Sequence, residues 1–266
     1  MNHRITYLNF DNSLTEQSFL QKYPHQWIGC SDIPHTNGFC KEESLNEIRK
    51  RLQSNKASPL VLIGNGNFHY VTYLLLERIK KPFSLVLFDH HDDMKQDVLT
   101  LISCGSWVRY ALERISNLNK VVIIGVNEEN KTAKLTKIEE KRVHIITKQK
   151  VNKFSLYEII YEVRRFLREE KNIYVSIDKD VLFKTEAHTN WDQGNISLVQ
   201  LLFLLENIVE HYQVVGIDIC GEYVINHENR FKQATWEYVK MNEIVNRTLL
   251  KFINELVVVP QESLLA

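Results

Sequence analysis

The chain has 266 residues, 44% of them hydrophobic, and equal numbers of acidic and basic side chains, for a formal net charge of zero. That length supports one large α/β domain or two small ones with an ample core. The missing basic excess argues against a nucleic-acid partner, which needs a positive footprint. No apolar run approaches the roughly 18 residues of a membrane span, so no membrane partner is expected. The opening MNHRITYLNFDNS lacks the apolar core of a secretion signal. Cys30, Cys40, Cys104 and Cys220 form no Cys-x-x-Cys pair. Reduced thiols and a cytoplasmic protein are the expectation, with a Cys30–Cys40 bridge the weaker alternative.

Apolar runs and amphipathic stretches alternate along the chain. A strand over 5–10 is followed by a long loop over 21–41 holding Pro24, Trp27, Pro34 and Gly38. A helix over 44–52 leads to a strand over 60–63 and a helix over 70–78. Next come a strand over 85–88, a helix over 102–115 and a strand over 121–126. The charge-rich stretch 128–142 reads as a solvated helix before a strand over 143–146. A helix over 156–167, a strand over 173–177, a helix over 198–211 and a strand over 214–219 follow. A loop over 223–232 and a helix over 236–258 complete the chain. Val/Ile/Leu-rich strands alternating with helices imply a mainly parallel central sheet covered on both faces, a three-layer αβα sandwich. With no repeat and no linker-like tract, a single domain over 1–266 is expected.

Three of these strands end in groups that can bind a cation. The run Leu85–Phe88 stops at Asp89-His90-His91-Asp92-Asp93. In an extended chain Asp89, His91 and Asp93 share one face, while His90 and Asp92 point away. Crowded carboxylates at a buried strand end repel one another and lose water, a cost that a divalent cation would relieve. A solvated acidic turn with incidental histidines would read the same from this stretch alone. The strand over 60–63 runs into Gly64-Asn65-Gly66-Asn67-Phe68-His69, and that over 173–177 into Asp178-Lys179-Asp180, again with two carboxylates at i and i+2. All three tips belong at the carboxyl edge of one parallel sheet, where such folds bind ligands. His69, Asp89, His91, Asp93, Asp178 and Asp180 would converge there. Four carboxylates match the charge of two divalent cations, and oxygen ligands with one imidazole per ion suit Mn2+, with zinc or iron able to substitute. A pair of ions about 3.5–4 Å apart would hold and acidify a bridging water.

The order GNGNFH, DHHDD, SIDKD resembles the arginase/agmatinase ureohydrolase family, over about 60–253 of the chain. The family has an acidic residue before the first histidine, where this chain has Phe68. The resemblance implies two Mn2+ ions. His69 and Asp93 would hold one ion, His91 and Asp180 the other, and Asp89 and Asp178 would bridge them. Asp93 would also carry a proton from water to the leaving amine. Cys104 stands where the family often has a histidine, and is read here as a small packing residue. Glu222, just past the strand over 214–219, would hold a guanidinium, or else is a surface or capping glutamate. Asp218 would support the site from behind. Glu128 and Asn130, and Asn190, Trp191 and Asp192 in the loop after the last aspartates, would meet substrate, although Trp191 could be an ordinary surface aromatic.

The implied activity is hydrolysis of a guanidino C–N bond, arginine side chain to ornithine plus urea. The short chain and divergent loops favour a guanidino-bearing small molecule or an arginine-containing peptide as partner. Family members are often oligomers, which leaves room for a homo-oligomer here. Two alternatives stay open: a deacetylase-like metal-dependent amide hydrolase, weakly echoed by His90-His91, and a non-catalytic metal-binding homologue, suggested by Cys104.

Overall fold

The computed structural model describes residues 5–96, 101–130 and 135–256. In chain order, β1 (Ile5–Asn9), β2 (His25–Gly29) and β3 (Phe39–Lys41) precede α1 (Glu42–Gln53), β4 (Leu60–Gly64) and α2 (Val71–Leu76). Then come β5 (Phe83–Phe88), β6 (Leu101–Ser103), α3 (Trp107–Arg114) and β7 (Leu118–Val126). The second half holds α4 (Glu139–Arg142), β8 (Val143–Thr147), α5 (Lys148–Lys153), α6 (Leu156–Phe166), β9 (Asn172–Asp178), α7 (Leu198–His211), β10 (Gln213–Cys220) and α8 (Gln233–Leu256).

Among the described residues, eight strands form one sheet in the order β2-β1-β4-β10-β9-β5-β7-β8. Every pairing in it is parallel. Strand alternation divides the core into two layers. Val61, Ile63, Leu85 and Leu87 face one layer, filled by α1, α2 and α3 through Ile48, Leu74 and Trp107. Leu60, Leu62, Val86 and Phe88 face the other, filled by α5 to α8 through Val151, Ile159, Leu204 and Leu249. The three-layer αβα sandwich is therefore present. All six residues of β5 are buried, and burying an aliphatic or aromatic side chain of this size contributes about 1.5–3 kcal/mol. Helices α6 and α7 start at Ser155 and Ser197 with reciprocal capping boxes to Glu158 and Gln200, which satisfy donors a helix start otherwise leaves open.

Three local expectations are corrected. The stretch 21–41 is not one loop: it contributes edge strand β2, paired with β1, and the short β3. The helix expected over 102–115 begins only at Trp107, because residues before it form β6, antiparallel to β3, followed by a turn at Cys104-Gly105. Apolar periodicity did not separate Ile102, on β6, from the helix beyond it. The stretch 128–142 carries a 3-10 turn at Glu128–Asn130 and the single-turn α4. Its residues 131–134, and 257–258 of the last helix, lie outside the described residues.

Candidate metal centre

The carboxyl ends of β4, β5 and β9 lie close together because β10 pairs with β4 and β9, and β9 pairs with β5. The three motifs do meet, and each is held by a local device rather than by simple strand alternation. Asn65 caps the 3-10 turn Gly66–Phe68 by accepting from Asn67 N–H, and His69 follows. Asp89 Oδ1 accepts from His91 N–H at 2.7 Å, and Asp178 Oδ1 accepts from Asp180 N–H at 2.9 Å, so both aspartates turn the chain back on themselves. Asp93 sits in the left-handed region at φ 48°, which Asp tolerates better than most residues and which is common at functional sites. Two glycines pack closely against Asp178, and at Gly221 (φ 88°) a side chain would not fit without a shift. A Cβ at Gly66 would lie 3.0 Å from Asp178 Oδ2, and one at Gly221 2.5 Å from Asp178 Oδ1.

The resulting centre has two halves joined by Asp89. His69 Nδ1 lies 3.3 Å from Asp89 Oδ2, 3.3 Å from Asp93 Oδ2 and 3.6 Å from Asp178 Oδ2. His91 Nδ1 lies 3.4 Å from Asp89 Oδ1 and 2.9 Å from Asp180 Oδ2. Thus one oxygen of Asp89 faces each histidine. The far side of each ring is fixed from outside. Ser176 donates to Asp218 Oδ1 at 2.7 Å, so its oxygen accepts from His69 Nε2 at 2.9 Å. Asp192 Oδ1 accepts from His91 Nε2 at 2.9 Å. With Nε2 carrying hydrogen, loss of the Nδ1 proton would leave each ring's Nδ1 lone pair facing inward, as in metal-binding histidines. Trp107 Nε1 donates to Asp93 Oδ2 at 2.5 Å, pinning that carboxylate.

Electrostatics tell the same story. For Asp89, burial disfavours charge, but His69 and His91 draw its carboxyl below the usual range. Burial and then the charge of Asp89 push Asp93 up to about 7 and raise Asp178. Asp180 is raised further by burial, Asp178 and Asp89. Burial opposes charge on both histidines. Neighbouring groups outweigh it, the Cys220 sulfur, Asp89 and Asp93 around His69 and Asp180 and Asp89 around His91, so both are raised, while burial keeps the Cys220 thiol itself protonated. Without a cation, protons hold this cluster together. Asp180 Oδ2 is the clearest sign of fit. It is buried and 2.9 Å from His91 Nδ1, yet has no hydrogen-bond partner. Once His91 gives up its Nδ1 proton, two lone-pair atoms converge on one point, which suits a cation, and the donor set fits two divalent ions.

These residues line a cavity of about 550 Å3, with Trp191, Asp192 and Glu129 also on its wall. Other expected contacts lie elsewhere. Glu222 is buried, and its carboxylate accepts from Gln17 Nε2 at 2.8 Å, Asn246 Nδ2 at 2.6 Å and Lys179 Nζ. That network turns it inward, away from the cavity wall. Glu128 accepts from Thr147, and its neighbour Glu129 takes the cavity position. The Asn130 side chain lies outside the described residues. Asn190 Oδ1 accepts from Asn65 Nδ2 and Val224 N–H, tying two loops together. Asp92, expected to point away, lines the cavity, and Met94 N–H donates to its Oδ1. His90 belongs to neither cluster. It stands 3.5 Å from Asp192 through Nε2.

Sequence reasoning gave no role in the site to Ser176, Trp107 or Lys95. Ser176 was findable, because it stands two residues before Asp178 on a strand. Trp107 was hidden by the misplaced helix start. Lys95, also on the cavity wall, carried no signal.

The fold and site define an α/β protein of the ureohydrolase type with a candidate metal centre. A family model described as the Arginase family matches residues 6–256, and the chain belongs to that family, whose members are hydrolases. It is 32% identical over 218 residues to an uncharacterised protein of Thermotoga maritima, covering 82% of this chain and 79% of that one. It is 23% identical over 208 residues to a formimidoylglutamase of Streptococcus pyogenes, covering 72% of this chain but only 62% of that protein. In fold it is similar to the proclavaminate amidino hydrolase of Streptomyces clavuligerus, with a TM-score of 0.66, 16% identity and coverage of 94% and 91% of the two chains.

Proposed function

We propose that the chain folds as one arginase-like domain and is a binuclear, manganese-dependent hydrolase. Its reaction is cleavage of a C–N bond at a guanidino carbon, and arginine presented on a peptide is the favoured substrate. The observation that carries this reading is Asp89, whose two oxygens each face a different histidine in a buried cluster of acidic groups. The names of two similar proteins, an amidino hydrolase and a formimidoylglutamase, support attack at a carbon bonded to several nitrogens.

When bound, the two ions supply Lewis acidity and a water acidified at neutral pH. The chain's own residues do the rest. Asp93, pinned by Trp107, takes the proton of that water and returns it to the departing amine. With Glu222 committed to Lys179, the cationic guanidinium is held instead by Glu129 and Asp192 on the cavity wall. Asp192 is tied to His91, so substrate position and metal geometry are coupled. Phe39 and Trp191, 50% and 40% exposed, stand at the mouth as an open rim that leaves room for peptide backbone.

The test is incubation of Mn2+-loaded protein with free arginine, agmatine and arginine-containing peptides. Urea release with conversion of peptide arginine to ornithine is expected. Urea from arginine or agmatine alone would remove the peptide preference, and urea from none would remove guanidine hydrolysis.

A further inference from the structure

We infer that Cys220 is a ligand of this centre and makes its His69 end thiophilic, so that Zn2+, Fe2+ or Co2+ is taken there in preference to Mn2+. This rests on the two-ion reading above and refines its metal identity. Cys220 ends β10, in register with Asp178 on β9 and Gly64 on β4. Its thiol is therefore delivered to the same sheet edge as the motifs already described. Sγ lies 3.1 Å from Asp178 Oδ2, and the ligand atoms of His69, Asp178 and Cys220 all lie within 4.8 Å of one another. The three are 1%, 4% and 0% exposed. The next residue, Gly221, has φ 88°, which swings the chain away without placing a Cβ on Asp178.

An imidazole, a carboxylate and a thiol thus pack together in the interior. Lys179, the neighbouring buried cation, is committed to Glu222 and Asn246. The metal would form a bond to sulfur, and the thiol proton would leave to solvent. The His91 end, with Asp89 and Asp180, offers only nitrogen and oxygen. Soft thiolate selects zinc, iron or cobalt over manganese, whereas carboxylate and imidazole do not discriminate so sharply. The two ends would therefore differ in metal preference.

Cobalt substitution tests this without reference to turnover. Metal-stripped protein is loaded with Co2+, bound cobalt is counted by mass spectrometry, and the near-ultraviolet spectrum is recorded. A thiolate-to-cobalt charge-transfer band is expected in the parent protein, retained in Cys104→Ser and lost in Cys220→Ser and Cys220→Ala. The preference for Zn2+ over Mn2+ should fall by roughly tenfold or more in Cys220→Ser. Two bound Co2+ without the band would overturn the inference while leaving the two-ion centre intact. A band at one equivalent would keep Cys220 as a ligand and remove the second ion. One equivalent without the band would remove both. The parent and Cys104→Ser spectra together decide the question even if the Cys220 variants fail to fold.

Discussion

Lys179→Met isolates the network that turns Glu222 inward. Lys179 is 0% exposed, and its ammonium donates to Glu222 Oε1 and, at 3.1 Å, to Asn246 Oδ1. Methionine keeps most of the aliphatic volume, so the cavity contribution is small and the loss is mainly the unpaired carboxylate. Removing one partner of a buried pair costs about 3–5 kcal/mol. Here Gln17 Nε2 and Asn246 Nδ2 still donate to Glu222, at 2.8 and 2.6 Å. That places the expected loss near the lower end, about 3 kcal/mol. Lys179→Met/Glu222→Gln removes both charges and should recover most of it, since neutral replacement of a buried pair is often nearly free. Urea unfolding followed by circular dichroism measures both variants. Metal-loaded and chelated samples are compared separately, because bound ions add their own stabilisation. A single variant within about 0.5 kcal/mol of the parent, or a double variant no better than the single, would refute a buried pair of this kind.

Asp89→Ala should lower occupancy at both metal positions, whereas His91→Ala should empty mainly one, as read by metal analysis after Mn2+ loading; equal effects would break the bridging assignment. Gly221→Ala forces a side chain into φ 88° and onto Asp178. It should cost about 1 kcal/mol or more in thermal or urea unfolding from the backbone alone, and weaken metal binding besides. Burial raises the Asp218 carboxyl to about 6, so in chelated protein its contribution is full below the unfolded value near 4 and is lost as pH rises through 6. Asp218→Asn should flatten that part of the stability profile, by up to about 3 kcal/mol; an unchanged slope between pH 4 and 6 would exclude it.

What the sequence made legible follows from what local chemistry encodes. The eight-stranded sheet was readable apart from β2, because its central strands are continuous apolar runs. Strand β2 reads HQWIG and is only partly buried. It is an edge strand whose place is set by pairing with β1, not by its own pattern. The residues of the candidate metal centre could be brought together from the sequence because each lies within a few residues of a strand end, and parallel topology brings such ends to one edge. Local geometry was the wrong reason for the right convergence. Asp89 and Asp178 fold back on their own backbone, and Asp93 turns left-handed.

Residues that recognise substrate depend instead on contacts far apart in sequence. Glu222 was assigned from its place after β10, but its direction is decided by Lys179, Gln17 and Asn246, the last on α8. Nothing local announces that Asp178-Lys179-Asp180 carries a buried cation between two candidate metal ligands, or that a glutamate 43 positions away must answer it. The same lysine is why the proposed guanidino substrate is assigned to Glu129 and Asp192 on the cavity wall rather than to Glu222. A variant that frees Glu222 by removing Lys179 therefore does not simply create a substrate contact. It also loosens the turn that aims Asp178 and Asp180, so any effect on specificity must be read alongside metal content.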